Sequence, residues 1–410
     1  MSATPRNYKI EIHEGIRRID GAKWNALVEG ESPFLEYGFL SLLEETGCTG
    51  EESGWFPMIF VATESDGDGD GEDATTKSED RPYLGALPFY IKTNSAGEFV
   101  FDWGWADAAY RAGIRYYPKG VVAVPFTPVT GARILTASEL EEAERSALGS
   151  ALIQTAMGFA KQAGLSSVHF NFIPEHETGL FKELGLPLRY GMQYHWYNGR
   201  ERGMASPYED FDDYLSRFRS KKRANIRRER RKLEEEGVTS RVLTGDMIDE
   251  AIMADMFEYY RDTVQKFFYG KQYLTEEFFL ALPDVMRDRL HFVIMSRDGE
   301  DFGGTFNLYK NDRLYGRYWG ATAEVQFAHF EACMYTPIEW AIEHGVKVFE
   351  PGAGGEHKYD RGFEPTHTYS AHYLVDERLD EAIRGVLAQE RASRDLQIEH
   401  LSKENPFKDT

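Results

Sequence analysis

Residues 159–173 read FAKQAGLSSVHFNFI, and residues 340–350 read WAIEHGVKVFE. Each opens on the end of a helical pattern, passes a glycine at Gly164 or Gly345, and runs into a segment rich in β-branched and aromatic residues. Glycine directly after the last helical turn supplies the left-handed conformation that stops a helix. The same helix–glycine–strand unit therefore stands twice, about half a chain apart. In a chain of 410 residues this points to duplication of one α/β unit rather than to a solenoid of short repeats. That length allows roughly two or three domains.

Reading outward from the first copy, Glu139 to Ala163 carries Leu148, Leu152, Thr155 and Phe159 at helical spacing. Earlier, Pro57–Thr63 (PMIFVAT) and Tyr83–Ile91 (YLGALPFYI) read as two strands, and Glu98–Trp105 (EFVFDWGW) as a third. Between the first two lies DGDGDGEDATTKSEDR, from Asp66 to Arg81. It opens like an EF-hand loop but lacks a glutamate at the twelfth position and flanking helices, so a hairpin insertion is expected. Ahead of the second copy, Leu290–Ser296 reads as a strand and Asp298-Gly299 as a turn. Gly303–Tyr309 and Arg313–Trp319 then read as a hairpin across Lys310 to Asp312. Trp103-Gly104 is matched with Trp319-Gly320 between the halves. Strand, hairpin, helix, strand in each half implies an α/β (α+β) class with mixed, mainly antiparallel sheets and packed helices. Regular βαβ alternation, the mark of a doubly wound fold, is missing. The expected domains are residues 1–200 with an acidic insertion at 65–81, residues 201–380 with a basic helix at 211–236, and a C-terminal helix or tail at 381–410. The boundary falls in the polar stretch GRERGMAS at 199–206.

Asp and Glu number 68 against 47 Lys and Arg, a net charge of -21, which works against general binding of nucleic acid or anionic lipid. Two cysteines, Cys48 and Cys333, fit a reducing compartment and give neither a disulfide framework nor a Cys-rich zinc site. Met1 to Asp20 mixes charges throughout and there is no apolar run long enough for a span, so a cytoplasmic location is expected. No GxGxxG or P-loop follows a strand, and no GxSxG or HExxH occurs. His367 and His372 are five apart and would face opposite sides of one strand, so no metal site is expected.

Three stretches carry chemistry. EPGAGGEHKYDRGFEP, residues 350–365, follows a predicted buried strand. Gly352, Gly354 and Gly355 permit tight backbone geometry and an anion-binding nest, while Glu356, His357, Lys358 and Arg361 crowd ionisable groups beside it. FAHFE, residues 327–331, puts His329 and Glu331 on one face if extended, where either would take a proton from an attacking amine; the alternative is the start of a helix. Phe211 to Glu236 reads as a helix with a narrow apolar stripe. Its Arg217–Lys232 stretch holds ten Lys or Arg and one Glu, including Arg227, Arg228, Arg230 and Arg231. Such a local excess suits a phosphate-bearing ligand.

Taken together, FVFDWGWADAAYRAGIRYYPK (99–119), VPFTPVTGARIL (124–135), QYHWYN (193–198), RSKKRANIRRERRK (219–232), LYGRYWGA (314–321), HFEACMY (329–335) and GGEHKYDRGFEPTHTYSAH (354–372) resemble the FemAB-like predicted N-acyltransferases of the GNAT superfamily. The likeness runs over nearly the whole chain. It implies two tandem GNAT-like domains and transfer of an acyl or aminoacyl group from an activated donor, acyl-CoA or aminoacyl-tRNA, to an amine. The acceptor would be peptidoglycan-related, with no tightly bound cofactor and with tRNA or another phosphate-bearing ligand at the basic helix. The alternative is a non-catalytic protein of the same fold that binds a cell-wall or polyanionic ligand. Simple acetyl-CoA enzymes of the superfamily carry an R/QxxGxG/A loop before the central helix; ATAEVQFAHFEACMY, residues 321–335, has no glycine. Arg361-Gly362-Phe363 matches the C-terminal basic-Gly-Phe signature of FemAB-type enzymes, with Lys358 three residues earlier. The expected roles are His329 or Glu331 as base, with Lys358 and Arg361 on donor phosphate or developing oxyanion and the Gly352–Gly355 turn as the floor.

Overall fold

The apolar and alternating segments become strands in the computed structural model, which describes residues 6–65, 81–266 and 271–408. In chain order these are β1 (Tyr8–His13), β2 (Trp55–Glu64), β3 (Gly85–Lys92), β4 (Lys119–Val122), β5 (Leu135–Thr136), β6 (Ser167–Ile173), β7 (Leu188–Tyr197), β8 (Val238–Thr244), β9 (Leu290–Arg297), β10 (Glu300–Lys310), β11 (Arg313–Ala321), β12 (Val348–Glu350) and β13 (Glu364–Leu374). β2 and β3 pair antiparallel from Trp55↔Lys92 to Ala62↔Gly85. The insertion expected between them, 66–80, lies outside the described residues. β9 and β10 turn at Asp298-Gly299, both with positive φ, as a two-residue hairpin loop requires.

Two compact units result: residues 1–191 with 368–392, and residues 192–367 with 393–410. The first unit's sheet runs β1-β2-β3-β4-β6-β13, with β5 on β3. The second unit's runs β8-β9-β10-β11-β12-β7. In each, one neighbouring pair is parallel, β4 with β6 and β11 with β12, and the remaining pairs are antiparallel. The helices that feed β6 and β12 end alike. Leu165 N–H bonds Ala160 O at 2.8 Å and Gly164 N–H bonds Lys161 O at 3.3 Å. Val346 bonds Ala341 at 2.8 Å and Gly345 bonds Ile342 at 3.3 Å. Both glycines sit at φ 67°, the Schellman termination.

The division differs from the expected 1–200, 201–380 and 381–410. Each sheet takes its last strand from the other half of the sequence. Tyr369–Leu374 of β13 pair with Ile173–Ser167 of β6, which draws residues 368–392 into the first unit. Trp196 and Tyr197 of β7 pair with β12 in the second. Glu98–Trp105 is not a strand. Glu98 and Asp102 turn inward onto the fully buried Lys119, and a helix begins at Trp103. Trp103 is therefore helical whereas Trp319 lies in β11, so that pair does not correspond.

The basic segment 211–236 is two helices, Phe211–Ser216 and Ser220–Glu235. The C-terminal tail causes the break. Arg219 N–H bonds Pro406 O at 3.0 Å and Lys408 N–H bonds Arg217 O at 2.8 Å, and Phe218 is fully buried against Phe407. Phe211, Tyr214, Leu215, Phe218, Ile226, Phe349 and Phe363 share the second unit's aromatic core. Among the described residues, no helix is long and apolar enough to cross a membrane.

Candidate active site

β11 and β12 pair only over Arg313↔Val348, Leu314↔Phe349 and Tyr315↔Glu350. β12 then stops and the chain turns away at Pro351. The gap is a cavity of about 210 Å³, floored by Thr305 and Asn307 of β10 and walled by Arg317, Trp319, His329, Cys333, His357 and Lys358. No Asp or Glu is among its lining residues.

His329 and Glu331 reach this region on a helix, not on an extended segment. Ala328–Phe330 is α-helical, Glu331–Tyr335 forms a π turn, and Thr336–Glu343 completes the rod. Pro337 has no N–H for the ladder, and the wide turn stands just ahead of it. Two residues along a helix are roughly 200° apart. His329 therefore faces the cavity, 5.4 Å from the His357 ring and 5.8 Å from Trp319. Glu331 faces elsewhere: it accepts from Arg230 at 3.0 Å and from Thr336 Oγ1 at 3.0 Å. The shared face expected for these two residues does not exist. Burial, then His357, Lys358 and Arg361, pull the His329 pKa down to about 4, so its imidazole is neutral at pH 7. His357 is lowered too, chiefly by burial. Burial also raises the Glu331 carboxyl, against the pull of Arg230.

The glycine turn is fastened from within. Lys358 Nζ donates to the carbonyls of Gly352 at 2.9 Å, Pro351 at 3.2 Å and Ala353 at 3.4 Å. Three carbonyls thus converge on the chain's own ammonium. Burial lowers that lysine to about 8 and pushes the Cys333 thiol up to about 12. Gly354 and Gly355 line the cavity, whereas Glu356 is exposed away from it.

Arg361 is not on the cavity. Its guanidinium donates to both Glu229 oxygens at 2.9 Å and to Tyr335 Oη at 2.7 Å, and lies 3.4 Å from the Phe330 ring centre. Gly362 lets the backbone pass Tyr214, whose hydroxyl is 2.1 Å from where a Cβ would sit. Phe363 is fully buried against Phe349. In this chain the Arg-Gly-Phe stretch fastens the helix Ser220–Glu235 to the core.

That helix is less charged than it reads. Arg227 pairs with Asp212 at 2.8 Å, Arg230 with Glu331 and Glu339, and Arg231 with Glu235 at 3.6 Å. Lys222 pairs with Asp360 and Arg217 with Asp213. Arg228 is exposed. The structure joins His329, His357, Lys358, Gly354 and Gly355 around one cavity and sets Glu331, Arg361 and the four arginines apart from it.

Thr305, Asn307, Arg317 and Cys333 also line the cavity, and the sequence alone gives them no role in a site. Thr305 and Asn307 had a signal: two polar residues two apart within an apolar strand, which places them on one face.

FemX superposes over 91% of this chain and 100% of its own at 11% identity, with a TM-score of 0.51. L-PGS from Bacillus licheniformis covers 85% of this chain and 94% of its own at 12% identity and 0.46. A tandem GNAT protein from the clavulanic acid biosynthesis pathway covers 90% and 99% at 11% identity and 0.44. The fold is that of FemX, here in two units, each with a mixed, mainly antiparallel sheet and packed helices. No curated protein matches the chain. The FemAB-like family, described as peptidoglycan biosynthesis/recognition, matches residues 15–409, and the chain belongs to it.

Proposed function

We propose that the chain is an N-acyltransferase. It moves an acyl or aminoacyl group from acyl-CoA or aminoacyl-tRNA onto an amine of a peptidoglycan-related acceptor, with the cavity of the second unit as its site. The observation that carries this reading is His329: a neutral imidazole on the wall of a cavity with no carboxylate lining. The amine nitrogen attacks the donor carbonyl carbon, the carbonyl's bond to its thiol or hydroxyl carrier breaks, and the amine's proton passes through His329 to the departing carrier. A base is needed because an alkyl ammonium is protonated at pH 7 and cannot attack. Lys358 holds the 351–353 turn that shapes the floor. The missing glycine loop before Ala328 favours an aminoacyl donor over acetyl-CoA.

The full chain, offered acetyl-CoA or charged tRNA with a peptidoglycan-precursor peptide bearing a free lysine amine, releases one carrier per acylated peptide. His329→Ala lowers kcat by roughly 10²- to 10⁴-fold without moving the thermal midpoint. Unchanged turnover in that variant removes His329 as the base. The family description also covers recognition. A wild-type chain that binds the peptide and releases no carrier from either donor would be a recognition protein instead.

A further inference from the structure

Asn307 stands in the floor of the cavity, opposite His291 on β9 and Gly316 on β11. It is 2% exposed, and a polar atom left unbonded at such a position is costly. Its amide nitrogen is well supplied. Nδ2 donates to Thr305 Oγ1 at 2.9 Å and lies 3.2 Å from His291 Nδ1. Both partners are held in place. Val293 N–H donates to Thr305 Oγ1 at 3.2 Å, and the His291 ring centre packs 4.4 Å from that of Trp340. Burial keeps His291 neutral, and with its proton on Nε2 its Nδ1 accepts from the amide.

The two amide protons are thereby used, and the amide oxygen is not. Among the described residues nothing donates to Asn307 Oδ1. That oxygen lies toward Gly316, where a Cβ would stand 3.4 Å from it. Gly316 carries no side chain, and the space left beside it belongs to the cavity that both residues line. The floor therefore offers one buried, oriented acceptor to the cavity that His329 also faces. Arg317 and Lys358 in the same lining disfavour an ammonium, so the matching group is an uncharged N–H donor.

We infer that Asn307 Oδ1 accepts a hydrogen bond from the attacking amine, and so selects a primary over a secondary amine as acceptor. The inference rests on reading the cavity as the acyl-transfer site. A primary amine brings two N–H groups. As its nitrogen bonds the donor carbonyl carbon it becomes positive, and both N–H groups become stronger donors. One proton passes to His329. The other stays on nitrogen, bonded to Asn307, and remains there in the amide product. A bond that strengthens along the reaction lowers the barrier instead of only tightening binding. A secondary amine has one N–H, which His329 takes, and leaves the Asn307 oxygen buried without a donor.

Peptidoglycan-precursor peptides bearing lysine or Nε-methyllysine, offered to the full chain with an activated donor, test this through the ratio of their kcat/KM values. Wild type should prefer lysine by roughly 10- to 100-fold. Asn307→Leu, branched alike but without polar atoms, should keep the steric cost of the methyl group and lose most of the preference. Asn307→Asp, which keeps an oxygen toward the cavity, should retain it. Should the Leu variant not fold, Thr305→Val, which removes a partner that orients the amide, must reduce the ratio instead. A ratio unchanged in Asn307→Leu, or in Thr305→Val where only that variant folds, overturns the inference, as does an Asp variant that loses the preference. Calorimetric titration without donor, using lysine and Nε,Nε-dimethyllysine peptides, separates the inference from the reaction it rests on, because the uncharged dimethyl amine has no N–H. A tighter lysine complex, by roughly 3- to 10-fold, that Asn307→Leu equalises in a chain releasing no carrier keeps Asn307 as the amine's partner and rejects the proposed reaction. No lysine preference in either assay overturns the inference.

Discussion

Arg361 and Glu229 form a nearly buried pair, 10% and 8% exposed, that Tyr335 completes. Removing one partner of such a pair strands a charge in the interior, whereas replacing both by apolar groups removes the problem. Arg361→Met should therefore cost about 3–5 kcal/mol, and Arg361→Met with Glu229→Leu should recover most of it. Urea midpoints of the two variants check this; a single variant as stable as wild type would show that the pair holds nothing. In the sequence, Arg361 stands among Lys358, Asp360 and Glu364, and its charge reads as available for a ligand. Glu229, which consumes it, lies 132 residues away. Local composition says which charges are close along the chain, and nothing about which are already neutralised. Lys358 was legible as a residue that matters, yet its partners, the carbonyls of its own turn, carry no signature in side-chain identity. His329 was legible by type and position, and the helix decided that it, and not Glu331, meets the cavity.

At the scale of elements, the two helix–glycine–strand units are the part the residues specify most completely. The Schellman ends at Gly164 and Gly345 share one φ and one bonding pattern. A Cβ on Gly345 would meet nothing within 4 Å, so substitution there measures backbone strain alone. Gly345→Ala should cost about 1–2 kcal/mol, the penalty for a left-handed alanine. Gly164→Ala should cost a similar amount, its nearest neighbour being an Arg115 guanidinium nitrogen at 3.4 Å. Denaturant unfolding of both variants decides it, and a neutral Gly345→Ala would mean that the helix end relaxes. The elements that escaped the reading failed for one reason. Glu98–Trp105 has strand-like residues, but Asp102 and Glu98 are drawn to Lys119, and the helix begins at Trp103. Residues 211–236 have one helical stripe, but the tail at 406–408 cuts it in two. β13 is an ordinary strand by pattern, and only its register with β6 puts it in the first unit. Each of these outcomes rests on a partner distant in sequence, where propensity yields to packing.

At the scale of the whole molecule, the chain carries buried histidines that are neutral when folded. His195 and His291 are pulled down to about 3 and His329 to about 4, each chiefly by burial. His169 and His372, whose Nδ1 atoms lie 2.8 Å apart, are also lowered by burial. Below about pH 6.5 the unfolded chain takes up protons on these five and the folded chain does not. Stability therefore falls as pH falls, by up to about 1.4 kcal/mol per pH unit for each histidine. Two buried carboxyls, Glu98 and Glu177, act in the opposite sense. Burial raises Glu98 to about 7 and Glu177 to about 8, so between about 4.5 and those values the folded state holds the extra protons. Their stabilisation is full below pH 4.5 and is lost as pH climbs through 7 and 8. The two sets oppose each other between about pH 4.5 and 6.5, where five histidines outweigh two carboxyls, so stability already falls as pH drops, at most as fast as three unopposed histidines would make it. Below pH 4.5 Glu98 and Glu177 no longer offset the histidines, and Asp102, held down to about 2 against the pull of burial chiefly by Lys119, adds to the loss, so the fall steepens; above 6.5 the decline of the two raised carboxyls remains. Stability should thus peak near pH 6–7, fall as pH drops from there to about 4.5, and fall faster below that. Urea midpoints from pH 4 to 8.5 measure the curve. A midpoint unchanged between pH 6.5 and 4 would mean that the folded chain accepts protons at these imidazoles, and His169→Gln with His372→Asn should flatten the acid limb if their burial is the cause.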